Sequence, residues 1–338
     1  MTRVLIAEDS AVAREYLAHL LGSDPELEVV GSAPDGGRAV ELAERLRPDV
    51  IVMDVHMPVL DGFDATRQIM ERAPAPIVMA TASASRFETR SAFQALEAGA
   101  LVLLEKPLGP FDPDAAAAAA EFVRTVKLMA EVKVVRRWPP RTRNGHAPSP
   151  PRRPAGVVAI GASTGGPQVL AGILAEPLPV PVLLVQHIAH GFIEGFGEWL
   201  ASHTPMPVAL ARPGAPLAAG AVHLAGGGGH LGVTPDGRVA VSHDGPVDGF
   251  RPSITRLFES VAEVYGSTAV GVLLTGMGRD GARGLRRLRD AGGLTIAQDE
   301  ASSVVYGMPA EAVRLGAADS VLAPGAIAGV LGRLGAAA

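Results

Sequence analysis

Apolar residues in this chain fall into short runs that end in polar residues, and the runs alternate with segments of helical spacing. Val4-Leu5-Ile6-Ala7 leads into Glu8-Asp9, and Ser10 then caps a segment with Val12, Tyr16, Leu17, Leu20 and Leu21 on one side and a stop at Gly22. Val29-Val30-Gly31 predicts a second strand, followed by a helix near 37–47. Val50-Ile51-Val52-Met53 is a third strand ending in Asp54, and Ile77-Val78-Met79-Ala80 a fourth ending in Thr81. Leu101-Val102-Leu103-Leu104 is a fifth, running into Glu105-Lys106-Pro107, and the helix-forming stretch 112–130 follows it. Strands alternating with helical segments predict a doubly wound parallel sheet.

The pattern then breaks. From Lys133 to Pro154 prolines and arginines replace the periodic apolar positions, which predicts an extended linker rather than a packed element. Beyond it the strand rhythm resumes with Val157-Val158-Ala159-Ile160, which runs into Gly161-Ala162-Ser163-Thr164-Gly165-Gly166-Pro167. Val182-Leu183-Leu184-Val185-Gln186 ends in His187. Ala221–Ala225 and Val239–Ser242 read as β segments joined by glycine-rich turns. Val270–Thr275 leads into Gly276-Met277-Gly278-Arg279-Asp280-Gly281, 283–291 reads as a helix, and Leu294–Asp299 is a last strong strand. The chain therefore divides into an α/β domain over 1–125, a Pro/Arg-rich linker over 126–154 and a second α/β domain over 155–338.

Composition narrows the chemistry. There is no cysteine, which excludes disulfides, thiolate metal sites and a cysteine nucleophile. A net charge of −5 disfavours nucleic-acid binding as the main activity. No apolar run reaches the roughly 20 residues of a membrane span, and the N-terminus has no leader-like segment. These features predict a cytoplasmic protein without membrane insertion.

Candidate chemistry sits where strands end. In the first domain Glu8, Asp9, Asp54, Thr81 and Lys106 come from separate strand ends at the carboxyl edge of one sheet, where α/β proteins bind ligands. Clustered carboxylates repel, and a divalent cation with oxygen ligands, typically Mg²⁺, offsets that most simply. A hydroxyl and an ammonium beside them suit a phosphoryl group on one carboxylate. In the second domain, the turn after Ile160 fits either a nucleophilic serine or a serine that merely caps the next helix. It lacks the spacing of a dinucleotide or P-loop signature, and no lysine follows. Three strand ends deliver Ser163, His187 and Asp280. A serine needs a base, and a neutral imidazole needs a carboxylate to fix its tautomer. Taken singly, His187 also fits a satisfied core histidine and Asp280 a turn former.

The first domain resembles the receiver domain of bacterial response regulators, through Val52-Met53-Asp54-Val55-His56-Met57-Pro58 with Asp61-Gly62, the Glu8-Asp9 pair, Thr81 and Lys106-Pro107. That resemblance implies a flavodoxin-like fold and phosphorylation of Asp54. It also implies Mg²⁺ held by Glu8, Asp9 and Asp54, a switch hydroxyl at Thr81 and a phosphate-contacting Lys106. Leu103 departs from it, standing where many receivers carry an aromatic residue. The second domain resembles the chemotaxis protein-glutamate methylesterase family. The match runs through Gly161–Pro167, Gln186-His187, Thr275–Ala282, Gln298-Asp299-Glu300 and Val304–Pro309. It implies a Rossmann-like catalytic domain with Ser163 as nucleophile, His187 as base, Asp280 as its orienting carboxylate, the Met277 N–H as oxyanion donor and Thr164 in support, with no cofactor in the esterase site. It further implies phosphorylation-activated hydrolysis of glutamate methyl esters, and deamidation of glutamines, on methyl-accepting chemoreceptors, with a histidine kinase as phosphodonor. Here the segment after His187 departs from the family, and Trp199 stands where a substrate-binding arginine is expected.

Overall fold

The computed structural model describes residues 1–82, 93, 96–107, 115–132 and 153–336. The chain divides between Asn144 and Gly145 into two compact units. Most of the expected linker, 133–152, lies outside the described residues, as do 112–114 of the helical stretch.

Unit 1 is a parallel five-stranded sheet built from β1 (Thr2–Ala7), β2 (Leu27–Ala33), β3 (Val50–Asp54), β4 (Ile77–Thr81) and β5 (Val102–Glu105), in the order β2-β1-β3-β4-β5. Its central strands read as unbroken apolar runs because both of their faces are covered, and Val4, Leu5, Ile6, Ile51 and Val78 are fully buried. Chain order reverses between β1 and β3, and that switch point is where such sheets bind ligands. Ser10 caps the first helix, as its position predicts, by accepting from Ala13 N. Asp61 caps the helix Gly62–Arg72 through Phe63 N and Asp64 N. The helix Ala115–Ala130 passes residue 125, where the sequence reading closes the domain, because Phe122, Val126 and Met129 continue one buried stripe.

Unit 2 begins with β6 (Arg153–Ala155) and β7 (Val157–Ala162). Its seven-stranded sheet combines β7 with β8 (Val182–Gln186), β9 (Val208–Leu210), β10 (Val222–Leu224), β13 (Ala269–Leu273), β14 (Leu294–Gln298) and β15 (Ser320–Leu322). The order is β15-β14-β13-β7-β8-β10-β9, with every pair parallel. The chain leaves β7 in one direction and returns to its other side as β13, so the switch point lies between them. β11 (His230–Val233) and β12 (Val239–Ser242) form a separate antiparallel ribbon. Val239–Ser242 is thus not a sheet neighbour of Val222–Leu224, as adjacency in the sequence suggests. β6 pairs in parallel with β16 (Leu334–Ala336).

The sequence reading passes over several helices of this unit, among them Ile193–Ala201, Met308–Arg314, Pro324–Leu331 and Ile254–Tyr265, the last of which bears on the site. Ser253 caps this last helix by accepting from Arg256 N, and Ile254, Leu257, Phe258 and Val261 bury one face in the core of the unit. Among the described residues, no helix is long and apolar enough to cross a membrane.

Candidate functional sites

In unit 1 the carboxylates at the switch point converge: ligand atoms of Glu8, Asp9 and Asp54 lie within 4.8 Å of one another. Glu8 and Asp54 are buried, whereas Asp9 is exposed. Lys106, one residue past β5, brings its Nζ to 2.6 Å from Glu8 Oε2 and 3.0 Å from Asp54 Oδ1. The approach to Glu8 is that of an ion pair rather than an aligned hydrogen bond, and Glu8 Oε2 has no aligned donor. Burial pushes the Glu8 carboxyl above its usual range, Lys106 reverses this in part, and Asp54 adds to it. Asp54 is likewise pushed up by burial against the pull of Lys106. Burial alone would lower the Lys106 ammonium, but Glu8 and Asp54 outweigh it and hold its pKa up. One ammonium among three carboxylates leaves negative charge uncompensated. The donor set, all oxygen, fits a hard divalent cation. Thr81 is buried at the end of β4, where its carbonyl accepts from Lys106 N at 2.8 Å. Leu103 is buried on β5.

In unit 2 the turn after β7 carries Ser163. Gly165 takes φ +78°, open to glycine at little cost, and caps the helix Gly166–Ile173 without a side-chain bond. Ser163 is therefore not that helix's cap, and its hydroxyl stays half-buried at the sheet edge. Its N–H donates to Thr275 O at 3.0 Å, and its carbonyl accepts from Gly166 N at 2.8 Å. Gly276 lies so close beneath it that a Cβ there would sit 2.5 Å from Ser163 Cβ. Thr275 is fixed in turn: its N–H donates to Gln298 Oε1 at 2.8 Å and its hydroxyl to Thr164 O at 2.9 Å. Met277 is half-buried next to Gly276, and among the described residues its N–H donates no hydrogen bond.

His187 follows β8 directly, and its N–H donates to Ala162 O at 2.8 Å. Ala162 and Gln186 are partners across the sheet, so Ser163 and His187 emerge side by side from neighbouring strands. The Gln186 carboxamide donates both to Ser163 O and to His187 O, each at 2.9 Å, and joins the two main chains. No hydrogen bond links the Ser163 hydroxyl to the imidazole, among the described residues; such bonds often tighten only when substrate binds. His187 Nε2 lies 3.0 Å from Asp280 Oδ2, although the approach is too bent for an aligned bond. A flip of the ring exchanges each nitrogen with a ring carbon without moving its plane. The ring stacks on Phe250, centroids 4.0 Å apart and planes within 3° of parallel.

Asp280 is fully buried. Ser253 Oγ, Thr255 N and Gly281 N donate to its Oδ1 at 2.8, 3.0 and 2.9 Å, and Ile254 N to its Oδ2 at 2.7 Å. Two of these donors are the first N–H groups of the helix Ile254–Tyr265, where the helix dipole favours an anion. Burial would raise the carboxyl, but His187 and these N–H groups outweigh it and hold its pKa below the ordinary carboxylate range. The group is thus an anion aimed at an imidazole.

The structure also bears on the departures after His187. Trp199 is buried in the helix Ile193–Ala201 and packs on His203 and Phe196. A cleft of about 360 Å³ beside the site is lined by Ile188, Ile193, Gly226–Gly228 and Arg251, without Trp199. Sequence reasoning missed Phe250, the bridging role of Gln186 and the Ser253–Thr255 cradle. The last had a signal, a serine just ahead of apolar residues at helical spacing.

Comparison with known proteins gives a consistent picture. Residues 158–331 match the family described as CheB methylesterase, and residues 4–117 match the response regulator receiver domain. A Myxococcus xanthus protein named protein-glutamate methylesterase/protein-glutamine glutaminase 4 is 51% identical, over 95% of this chain and 93% of its own. Its namesake from Geobacter metallireducens is 50% identical, over 96% of each chain. Among solved structures, the Thermotoga maritima CheB methylesterase catalytic domain aligns with a TM-score of 0.51 at 35% identity, over 52% of this chain and 97% of that one.

Proposed function

The chain belongs to the CheB methylesterase family, and from that premise we propose that it hydrolyses glutamate methyl esters on chemoreceptors and deamidates glutamines there, under control of its receiver domain. We retain the division into receiver, linker and 155–338 for these roles, with the receiver carried past residue 125 to the end of its last helix at Ala130. The observation that carries the catalytic reading is the Asp280 anion, held by four donors and set 3.0 Å from the ring of His187, itself next to Ser163 across β7 and β8.

Ser163 Oγ attacks the ester carbonyl carbon while His187 takes its proton. Asp280 stabilises the imidazolium that results and stays ionised. The developing oxyanion takes a hydrogen bond from the Met277 N–H, with Thr164 in support. Collapse breaks the bond to the methoxy oxygen, which leaves as methanol with the proton from His187. Water, deprotonated by His187, then cleaves the acyl-serine and releases glutamate. With a glutamine side chain the same steps release ammonia.

In the receiver, Asp54 accepts a phosphoryl group from a histidine kinase, with Lys106 contacting the phosphate and Thr81 as the switch hydroxyl. Glu8, Asp9 and Asp54 would hold Mg²⁺, which supplies positive charge against which a phosphoryl group can approach a carboxylate. The enzyme works in the cytoplasm.

The test is methanol release from methylated receptor membranes, comparing wild type with Ser163→Ala, each with and without a small phosphodonor and Mg²⁺. Release that rises with phosphodonor and vanishes in the variant is the expected result. Wild type that releases no methanol under either condition refutes the substrate assignment.

A further inference from the structure

His187 is anchored through its main chain, by Gln186 Nε2 and by the bond to Ala162 O, but nothing in those contacts sets the rotation of its ring. Rotation about an sp³–sp² bond is soft, so an imidazole held only by its backbone samples a broad range. The contact with Asp280 is too bent to define the plane. What does define it is Phe250, whose ring covers one face of the imidazole at 4.0 Å, nearly parallel. Turning the imidazole would drive its edge into the phenyl face.

Phe250 is in turn built into a defined turn. Val247 N donates to Phe250 O at 3.1 Å and Phe250 N to Val247 O at 3.0 Å, closing a two-residue loop. Asp248 and Gly249 take φ +52° and +87°, the paired positive values of a tight hairpin turn. Upstream, Gly245 O accepts from the buried His230 at 3.1 Å. Downstream, three residues past Phe250, Ser253 begins the run of donors that holds Asp280.

We infer that Phe250 is a positioning residue for the base, and that the segment from Val247 to Thr255 holds imidazole and carboxylate in register as one piece. The inference rests on the reading of His187 as base to Ser163. Phe250 fixes the plane of the ring, the helix start fixes the carboxylate, and the short span between them ties one to the other. Loss of the stacking ring leaves Asp280 in place and frees the imidazole to turn away from Ser163.

The test uses the full-length protein with acetyl phosphate and Mg²⁺. Inactivation by a fluorophosphonate reports the reactivity of Ser163 without a receptor, and methanol release reports the ester reaction. Phe250→Leu should be inactivated about tenfold more slowly, the scale of one aromatic contact. Its kcat for methanol release should fall by the same factor with KM unchanged. Phe250→Tyr keeps a stacking ring and should stay within about twofold of wild type on both readouts. A Phe250→Leu protein inactivated at the wild-type rate, or one impaired in KM with kcat kept, overturns the inference. Wild type that reacts with the phosphonate but releases no methanol refutes the ester substrate, while the two inactivation rates still decide the role of Phe250. A readout free of folding effects comes from wild type itself: the His187 Cε1 proton, assigned by its absence in His187→Gln, should resonate upfield through the ring current of Phe250. An unshifted signal there equally overturns the inference.

Discussion

Both units bury carboxylates at the switch point of a parallel sheet, yet the protein treats the two charges in opposite ways. Asp280 receives four hydrogen bonds from hydroxyl and backbone donors, and its carboxyl is held low. Glu8 and Asp54 share one lysine, and burial holds both of them high. A carboxylate whose partner is another residue of the chain can be satisfied in advance. On the function proposed, a cluster that takes a cation and a phosphoryl group has to be left short of positive charge, since complete compensation would leave nothing for them to add. The uncompensated site is the one that responds to its surroundings, and the compensated site is the one that stays ready.

That contrast can be tested at several strengths. The largest effect is expected at the satisfied carboxylate. Asp280→Asn keeps the size of the side chain but removes the charge that stabilises the imidazolium, and should lower kcat for methanol release roughly 10⁴-fold. Asp280→Ala also strands buried donors and should cost about 3 kcal/mol in the thermal unfolding of unit 2. A variant that keeps wild-type turnover would sink the role given to Asp280. Next in size is Asp54→Asn, for which rates with and without phosphodonor should become indistinguishable; a phosphodonor response that survives would place the phosphoryl group elsewhere.

Smaller, but specific to the uncompensated cluster, is stabilisation by the cation alone. Mg²⁺ at a hundredfold excess over its Kd should raise the stability of unit 1 by about 2.7 kcal/mol. Asp9→Asn should weaken that gain, and unit 2 should show none. Equal stabilisation of both units would mean that the acidic cluster is not the site. The smallest effect is expected on acidification. Because the Asp280 carboxyl is held low in the folded state, its contribution to stability is complete above the ordinary Asp value of 3.8 and is lost as pH falls through its depressed folded value. The stability gap between wild type and Asp280→Asn should therefore narrow below that pH in acid-unfolding curves. A gap that widens would contradict the direction of the shift.

The central strands of both sheets and the residues at their ends were legible in the sequence for one physical reason, whereas the short edge strands Val208–Leu210 and Ser320–Leu322 were not. In a parallel sheet buried on both faces, the apolar run stops where the chain reaches the functional edge, so the next polar residue is a candidate. Asp54, Thr81, Ser163 and His187 are all found that way. The means by which such residues are held is written in contacts between distant positions. The bond from Ile254 N to Asp280 spans 26 residues, and nothing in the local spacing around either end announces it. The helix itself was readable from Ser253 and the apolar stripe behind it. That its first turn meets a carboxylate was not. Phe250 is harder still, a single aromatic residue in a polar turn whose partner directly follows β8. The choice between a capping and a reactive Ser163 could not be made locally either, because it depends on how Gly165 turns the chain.

The parallel pairing of β6 with β16 sets Arg153 opposite Leu334 and Ala155 opposite Ala336. The place where the chain comes into unit 2 and its last described strand thus lie side by side. Unit 2 is in effect a closed loop of chain, and its order can be rotated: bridging Ala336 to Arg153 and reopening the chain in an exposed glycine turn would preserve every strand pairing that presents Ser163, His187 and Asp280. A receiver fused at either end would then be tethered to the same patch, so the attachment point of the control domain is a property of the fold rather than of which domain is written first.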